Sequence, residues 1–210
     1  MSNDRLSEWV STVDDNLSAK LKEASLLSYA NACSLLDDAA TLYSANRFPR
    51  AAALAILAEE EFSKSFVLCV SVQEKRWDSA LLRGLRDHAP KQAIAKAMRT
   101  YAEWVKINEQ RVAAMNQYSL IPALSSRIPT DEEMSEMFEE IKTTHIKRRS
   151  KDRQKQNFLY VAIARDGSTS NNPSSTTKDE SKSHLDSTQE FKLISEHMLS
   201  HTISGFKPRP

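Results

Sequence analysis

At 210 residues, with 40% hydrophobic, 27% charged and 7% aromatic side chains, the chain has the length and apolar content for one domain with an appendage. Its net charge of +1 at pH 7 excludes a global pull toward nucleic acid or anionic lipid and leaves such contacts to local basic patches. Its only glycines are Gly84, Gly167 and Gly205, which excludes glycine-loop nucleotide binding.

The opening MSNDRLSEWV lacks the charged-then-apolar order of a secretory signal. No uncharged apolar run reaches the ~18 residues of a membrane span. A cytoplasmic protein without membrane contact is expected. From Glu23 to about Ala45, apolar residues recur at Leu26, Leu27, Ala30, Cys33, Leu36, Ala40 and Tyr43, a helical stripe. Asn46 and Pro49 punctuate its end. A second helix is predicted from Pro49, which fits a first turn, to about Val72. Cys33 and Cys69 lie in these apolar stretches without metal-ligand spacing and read as buried free thiols.

The connector EKRWDSALLRGLRDHAPK, residues 74–91, follows. A third long helix is predicted from Pro90 to about Tyr118. Pro122 and Pro129 bracket a loop, and Thr130 with Glu133 forms a capping box for a shorter helix over Asp131–Lys142. Between Lys147 and Lys155 the chain carries six Lys or Arg, then turns into a β-prone apolar run over Phe158–Ile163. The Ser/Thr-rich stretch after it has no means to build a core and reads as a disordered linker. A short amphipathic helix ends the chain. The expected architecture is all-α: an up-and-down helical bundle over residues 1–165, a polar linker over 166–186 and a tail with a short helix over 187–210.

Two features carry chemistry. The second helix holds Glu59, Glu60, Glu61 and Lys64 amid apolar residues that spread around most of its circumference. At least one of these charges must approach a core or an interface, where it needs a partner. Glu60 and Lys64 are spaced as an i,i+4 pair in the favourable order. The connector holds Arg83, Arg86, Asp87, His88 and Lys91. A neutral histidine can take or give a proton near pH 7, and an arginine offers fixed donors to a phosphate. Arg83, five residues before His88, and Lys91, three after it, could converge with it on one phosphodiester. The same His88 could equally be a helix-terminal residue bonded to Asp87 or to backbone. His197 and His201 have i,i+4 spacing, which can hold a metal on a helix, but no third acidic or sulfur ligand accompanies them. No metal or other cofactor is expected. Trp9, Trp77 and Trp104 read as packing residues.

Three segments, RFPRAAALAILAEEEFSKSFVL, LRDHAPKQ and KQNFLYV, together resemble the AbiV group of bacterial abortive-infection proteins, within the HEPN superfamily, over roughly Leu26–Ile163. The resemblance implies a helical bundle, often dimeric, and a role in phage defence. Arg83 and His88 match the R-x4-6-H ribonuclease spacing of the superfamily. On this resemblance Arg83, His88 and Lys91 are candidate catalytic residues of a metal-independent endoribonuclease. Glu60, Glu61, Lys64 and Asp87 would support the site, with Glu60–Lys64 as an internal pair, and Lys155 and Tyr160 would close the bundle near it. Arg86, Lys147, Arg148 and Arg149 are candidate nucleic-acid contacts. The alternative is a non-catalytic defence protein that binds a phage or host protein, or a nucleic acid, through the bundle.

Overall fold

The computed structural model describes residues 10–86, 98 and 150–209. The predicted helices over Pro90–Tyr118 and Asp131–Lys142, and the loop between them, lie outside these residues apart from Met98, which is helical.

The bundle begins with α1, Asp15–Ser44, capped by the Asp14 carboxylate, which accepts from the Leu17 amide at 2.7 Å. This cap starts the helix eight residues before the predicted Glu23. Its end is a Schellman turn. The Arg47 amide donates to the Leu42 carbonyl and the Asn46 amide to Tyr43, while Asn46 takes the left-handed conformation, φ 57°. Asparagine tolerates that region better than most residues. The reversal leads directly into α2, Phe48–Gln73, with Pro49 in its first turn, within a residue of its predicted start. The Tyr43 and Phe48 rings close the corner at 5.4 Å.

After α2 the chain forms a short strand. β1 (Val10–Thr12) pairs antiparallel with β2 (Arg76–Asp78), a pairing absent from the sequence reading. Asp78 then caps α3, Ser79–Arg86, by accepting from the Leu81 amide at 2.8 Å, and its other carboxylate oxygen binds Arg76. Leu85 seats α3 among Val13, Leu21, Val67 and Leu68.

The C-terminal part opens with α4, Ser150–Leu159. The predicted β-prone run Phe158–Ile163 is split. Phe158 belongs to α4 and is buried against Ala52, Ala53 and Ile56 of α2, and only Ala162–Ile163 is strand. This β3 pairs with β4, Thr169–Asn171. The polar segment continues through a 3-10 turn at Pro173–Ser175. The C-terminal helix, α5, starts at Lys178, inside the segment read as linker, and runs 25 residues to Thr202. Thr177 caps it by accepting from the Glu180 amide at 3.1 Å.

α5 packs on α1 and α2. Phe191, Ile194 and Leu199 join Tyr29, Cys33, Leu36, Phe62 and Cys69 in one cluster. The polar composition of α5 hid this. Its buried face includes Ser181, Thr188 and Ser195, and two of these hydroxyls bond to helix carbonyls. Thr188 donates to Ala55 and His184, and Ser195 to Phe62. A hydroxyl bonded this way is buried at little net penalty. On the facing surface of α2, Ala55 and Ala58 are fully buried. Small side chains on both helices let the backbones come close, and the few large groups fill what remains.

Phe191 has no exposed surface, so Phe191→Ala should lower stability by about 3–5 kcal/mol, read as a drop in the urea midpoint. A loss below ~1 kcal/mol would mean that α5 is not part of the cooperative core.

Candidate functional site

The charges of α2 sort into two sets. Glu59 and Glu60 are buried, at 1% and 6% exposure, while Glu61 and Lys64 are partly buried and pair with each other at 2.5 Å. Lys64 therefore bonds Glu61, not the Glu60 expected from the i,i+4 spacing. Glu60 turns inward and meets Lys155 of α4 at 3.1 Å, across 95 residues of sequence. Glu59 accepts from the Ser187 hydroxyl of α5 at 2.9 Å. Phe158 of α4 and His184 of α5 meet edge to face at 5.4 Å beside them. Two successive glutamates of one helix thus grip two different helices, and each buried carboxylate has a bonded partner, as burial demands.

Lys155 is buried, and its ammonium meets Glu60 inside the bundle. Tyr160 is 65% exposed and does not close the bundle. Only its backbone is held, because the Asn171 side chain donates to the carbonyls of both Asn157 and Tyr160 at 2.8 Å. Arg83 and Arg86 lie on α3. α3 packs near Val67 and Leu68 of α2, about two turns, or ~12 Å, along that helix from Glu60. Asp87, His88, Lys91, Lys147, Arg148 and Arg149 lie outside the described residues.

Three arrangements escaped the sequence reading. Ser187 as a partner of Glu59 had no local signal, since the contact spans 128 positions. The Tyr29 hydroxyl donates to Glu196 at 2.6 Å, and burial followed by this bond pushes the phenol well above its ordinary range. The terminal segment returns over it, with Phe206 edge-on to Tyr29 at 5.5 Å and the Arg209 amide donating to the phenol oxygen. Beside it a groove of about 330 Å³ runs between α1 and α5, lined by Cys33, Leu36, Tyr43, Leu185, Lys192 and Arg209 among others. Burial raises the Cys33 and Cys69 thiols, which keeps both protonated at neutral pH and poor as nucleophiles. Both are free and buried, as predicted.

The His197 and His201 rings meet at 4.5 Å. Burial, and secondarily His201, lowers the His197 pKa below its ordinary 6.5. Among the described residues no three His, Cys, Asp or Glu side chains gather as a metal site, and no helix is long and apolar enough to cross a membrane.

Long helices packed side by side, with α1 and α2 joined by a tight corner, place the protein in the class of helical bundles. The family model described as AbiV, of the HEPN group, matches residues 20–192, and the chain belongs to that family. Membership carries a general role in phage defence. No curated protein and no solved structure matches the chain.

Removing one partner of a buried ion pair takes a counter-charge away from the other. Lys155→Met should therefore destabilise the fold by about 3–5 kcal/mol, and adding Glu60→Met should restore most of the loss; chemical denaturation of both variants checks this. His197 adds a pH term. Its folded pKa is depressed, so the unfolded chain binds more protons, and stability is full above 6.5 and lost as pH falls from 6.5 through the folded value. Between about pH 8 and about pH 5, His197→Gln should lose less stability than the wild type. An equal loss would remove His197 from the acid sensitivity.

Proposed function

We propose that the protein acts in phage defence as a metal-independent endoribonuclease, with Arg83, His88 and Lys91 at its reacting centre. What supports this reading is the backbone position of Arg83. It sits on a helix fixed at one end by the Asp78 cap and near the other by buried Leu85, and His88 follows two residues after that helix. An arginine on such a helix, five residues before a histidine in sequence, supplies a donor and a base of the kind that phosphodiester cleavage can use.

In the proposed reaction a base removes the proton from a ribose 2′-hydroxyl. The 2′-oxygen attacks phosphorus, the bond to the 5′-oxygen breaks, and an acid protonates that oxygen as it leaves. His88 serves as one of these groups. Arg83 and Lys91 offset the charge that builds on the phosphoryl oxygens. The products are a 2′,3′-cyclic phosphate and a free 5′-hydroxyl. In a homodimer two copies of His88 would share one groove, one as base and one as acid.

A second reading, a non-catalytic protein that binds a phage or host protein, is favoured by a different observation. Leu159, Tyr160, Val161 and Ile163 are all exposed within five positions, and clustered exposed apolar groups mark interaction surfaces.

Purified protein should cleave single-stranded RNA in the presence of EDTA and leave cyclic phosphate ends. His88→Ala, matched for folding by circular dichroism, should lose roughly 100-fold or more of that activity. Equal cleavage by both proteins would remove His88 from the reaction, and no cleavage of varied RNAs by the wild type would favour the binding reading.

A further inference from the structure

Lys155 and Phe158 turn α4 toward the core, where Glu60 and the alanines of α2 receive them. The opposite face carries Arg153, Gln156 and Tyr160, all exposed. These positions are spaced i, i+3 and i+7, one stripe of a helix. Tyr160 follows the last helical residue, and its amide still donates to the Gln156 carbonyl, so it continues the same spiral. Asn171 then fixes the backbone on either side of this end through the Asn157 and Tyr160 carbonyls. A cation and an open aromatic ring therefore stand about 10 Å apart on a helix that is pinned from beneath by an ion pair and at its C-terminal end by a side-chain cap.

We propose that the outward stripe of α4 is a contact surface for single-stranded RNA, with Arg153 on a phosphate and the Tyr160 ring stacked on a base, and with Glu60–Lys155 as the pair that positions them. This rests on the ribonuclease reading and deepens it by naming where the strand lies and in what form. The occupant follows from charge and shape. The exposed charge of this stripe is Arg153, and residues 145–165 carry one acidic side chain, Asp152, so the complement is an anion. An exposed aromatic face about two helical turns from a cation on the same stripe suits a base and a nearby phosphate of one strand, the combination that single-strand binders use. Duplex recognition works across a wide groove through backbone and 2′-hydroxyl contacts and has no use for an open ring. Lys155 belongs to the same basic run by sequence, yet it is withdrawn from the ligand because Glu60 holds it inside.

The test is binding of a short, end-labelled, 2′-O-methylated single-stranded RNA, which the proposed reaction cannot cleave, titrated at several salt concentrations with the full chain. Arg153→Gln should flatten the slope of log affinity against log salt by about 0.7, the share of one phosphate contact on a single strand. Tyr160→Ala should weaken binding roughly tenfold or more at every salt concentration and leave the slope unchanged, while Tyr160→Phe, which keeps the ring face, should bind as the wild type does. The double variant Glu60→Gln, Lys155→Met should keep the wild-type slope, because Lys155 makes no phosphate contact, and should bind several-fold more weakly, because the stripe has lost the pair that positions it. An unchanged slope in Arg153→Gln, wild-type affinity in Tyr160→Ala or a flattened slope in the double variant would overturn the assignment. If the wild type cleaves RNA but does not bind through this stripe, the inference fails and the ribonuclease reading stands. If it neither cleaves nor binds, both fail. Binding of a polyglutamate peptide in place of RNA would assign the stripe to an acidic protein and overturn the proposal.

Discussion

Two adjacent carboxylates inside α2 set the arrangement of the C-terminal half. Successive residues on an α-helix point about 100° apart, so Glu59 and Glu60 address different neighbours. Glu59 reaches Ser187 on α5 and Glu60 reaches Lys155 on α4. Each must find its partner or carry an uncompensated charge into the core. The condition is strict because the surrounding contacts are permissive. The alanines and serines that line α2 would accept many helix positions, whereas a carboxylate inside the bundle accepts few. A buried ion pair of this kind is weak as a source of net stability. In this bundle its effect is to specify register, since sliding α4 by one turn would move Lys155 about 5 Å away from Glu60.

The rest of the core is consistent with that division. The faces between α1, α2 and α5 combine small residues with a few large anchors, Phe62, Phe191 and Leu199. Where two helices approach closely, Ser25 donates to the Ser65 carbonyl and lies 3.1 Å from the Cys69 sulfur. Each such bond contributes little by itself. Together they allow polar side chains to line an interior that large apolar groups would hold open. The terminal segment uses the same device, with the Tyr29 phenol both packed against Phe206 and bonded to Glu196.

What could be read from the sequence follows from how local each signal is. The corner between α1 and α2 was legible because Asn46 and Pro49 write a helix stop and a helix start within four residues. The start of α1 was missed by weighting apolar spacing above the Asp14 cap. α5 was underestimated because its buried stripe is written partly in Ser and Thr, which a hydrophobic pattern counts as surface. The Arg83–His88 spacing is visible as a motif, and His88 lies outside the described residues. The partner of Glu60 was not, because nothing within one helical turn distinguishes it from Glu61, and its lysine lies 95 residues away. Sequence spacing favoured Lys64, and the fold assigned Lys64 to Glu61 instead.

The same contact changes how the basic run should be weighed. Six cations between Lys147 and Lys155 suggest a uniformly positive surface, but a charge neutralised inside the bundle contributes nothing to attraction outside it. Counting Lys and Arg therefore overstates the field that α4 presents. What the helix loses in charge it gains in fixed geometry. A surface whose backbone is already immobilised gives up less conformational freedom when a ligand binds, and Arg153 and Tyr160 stand on such a backbone. For a strand recognised by one phosphate contact and one stacked base at set separation, a rigid helix with fewer cations is a better support than a loop with more.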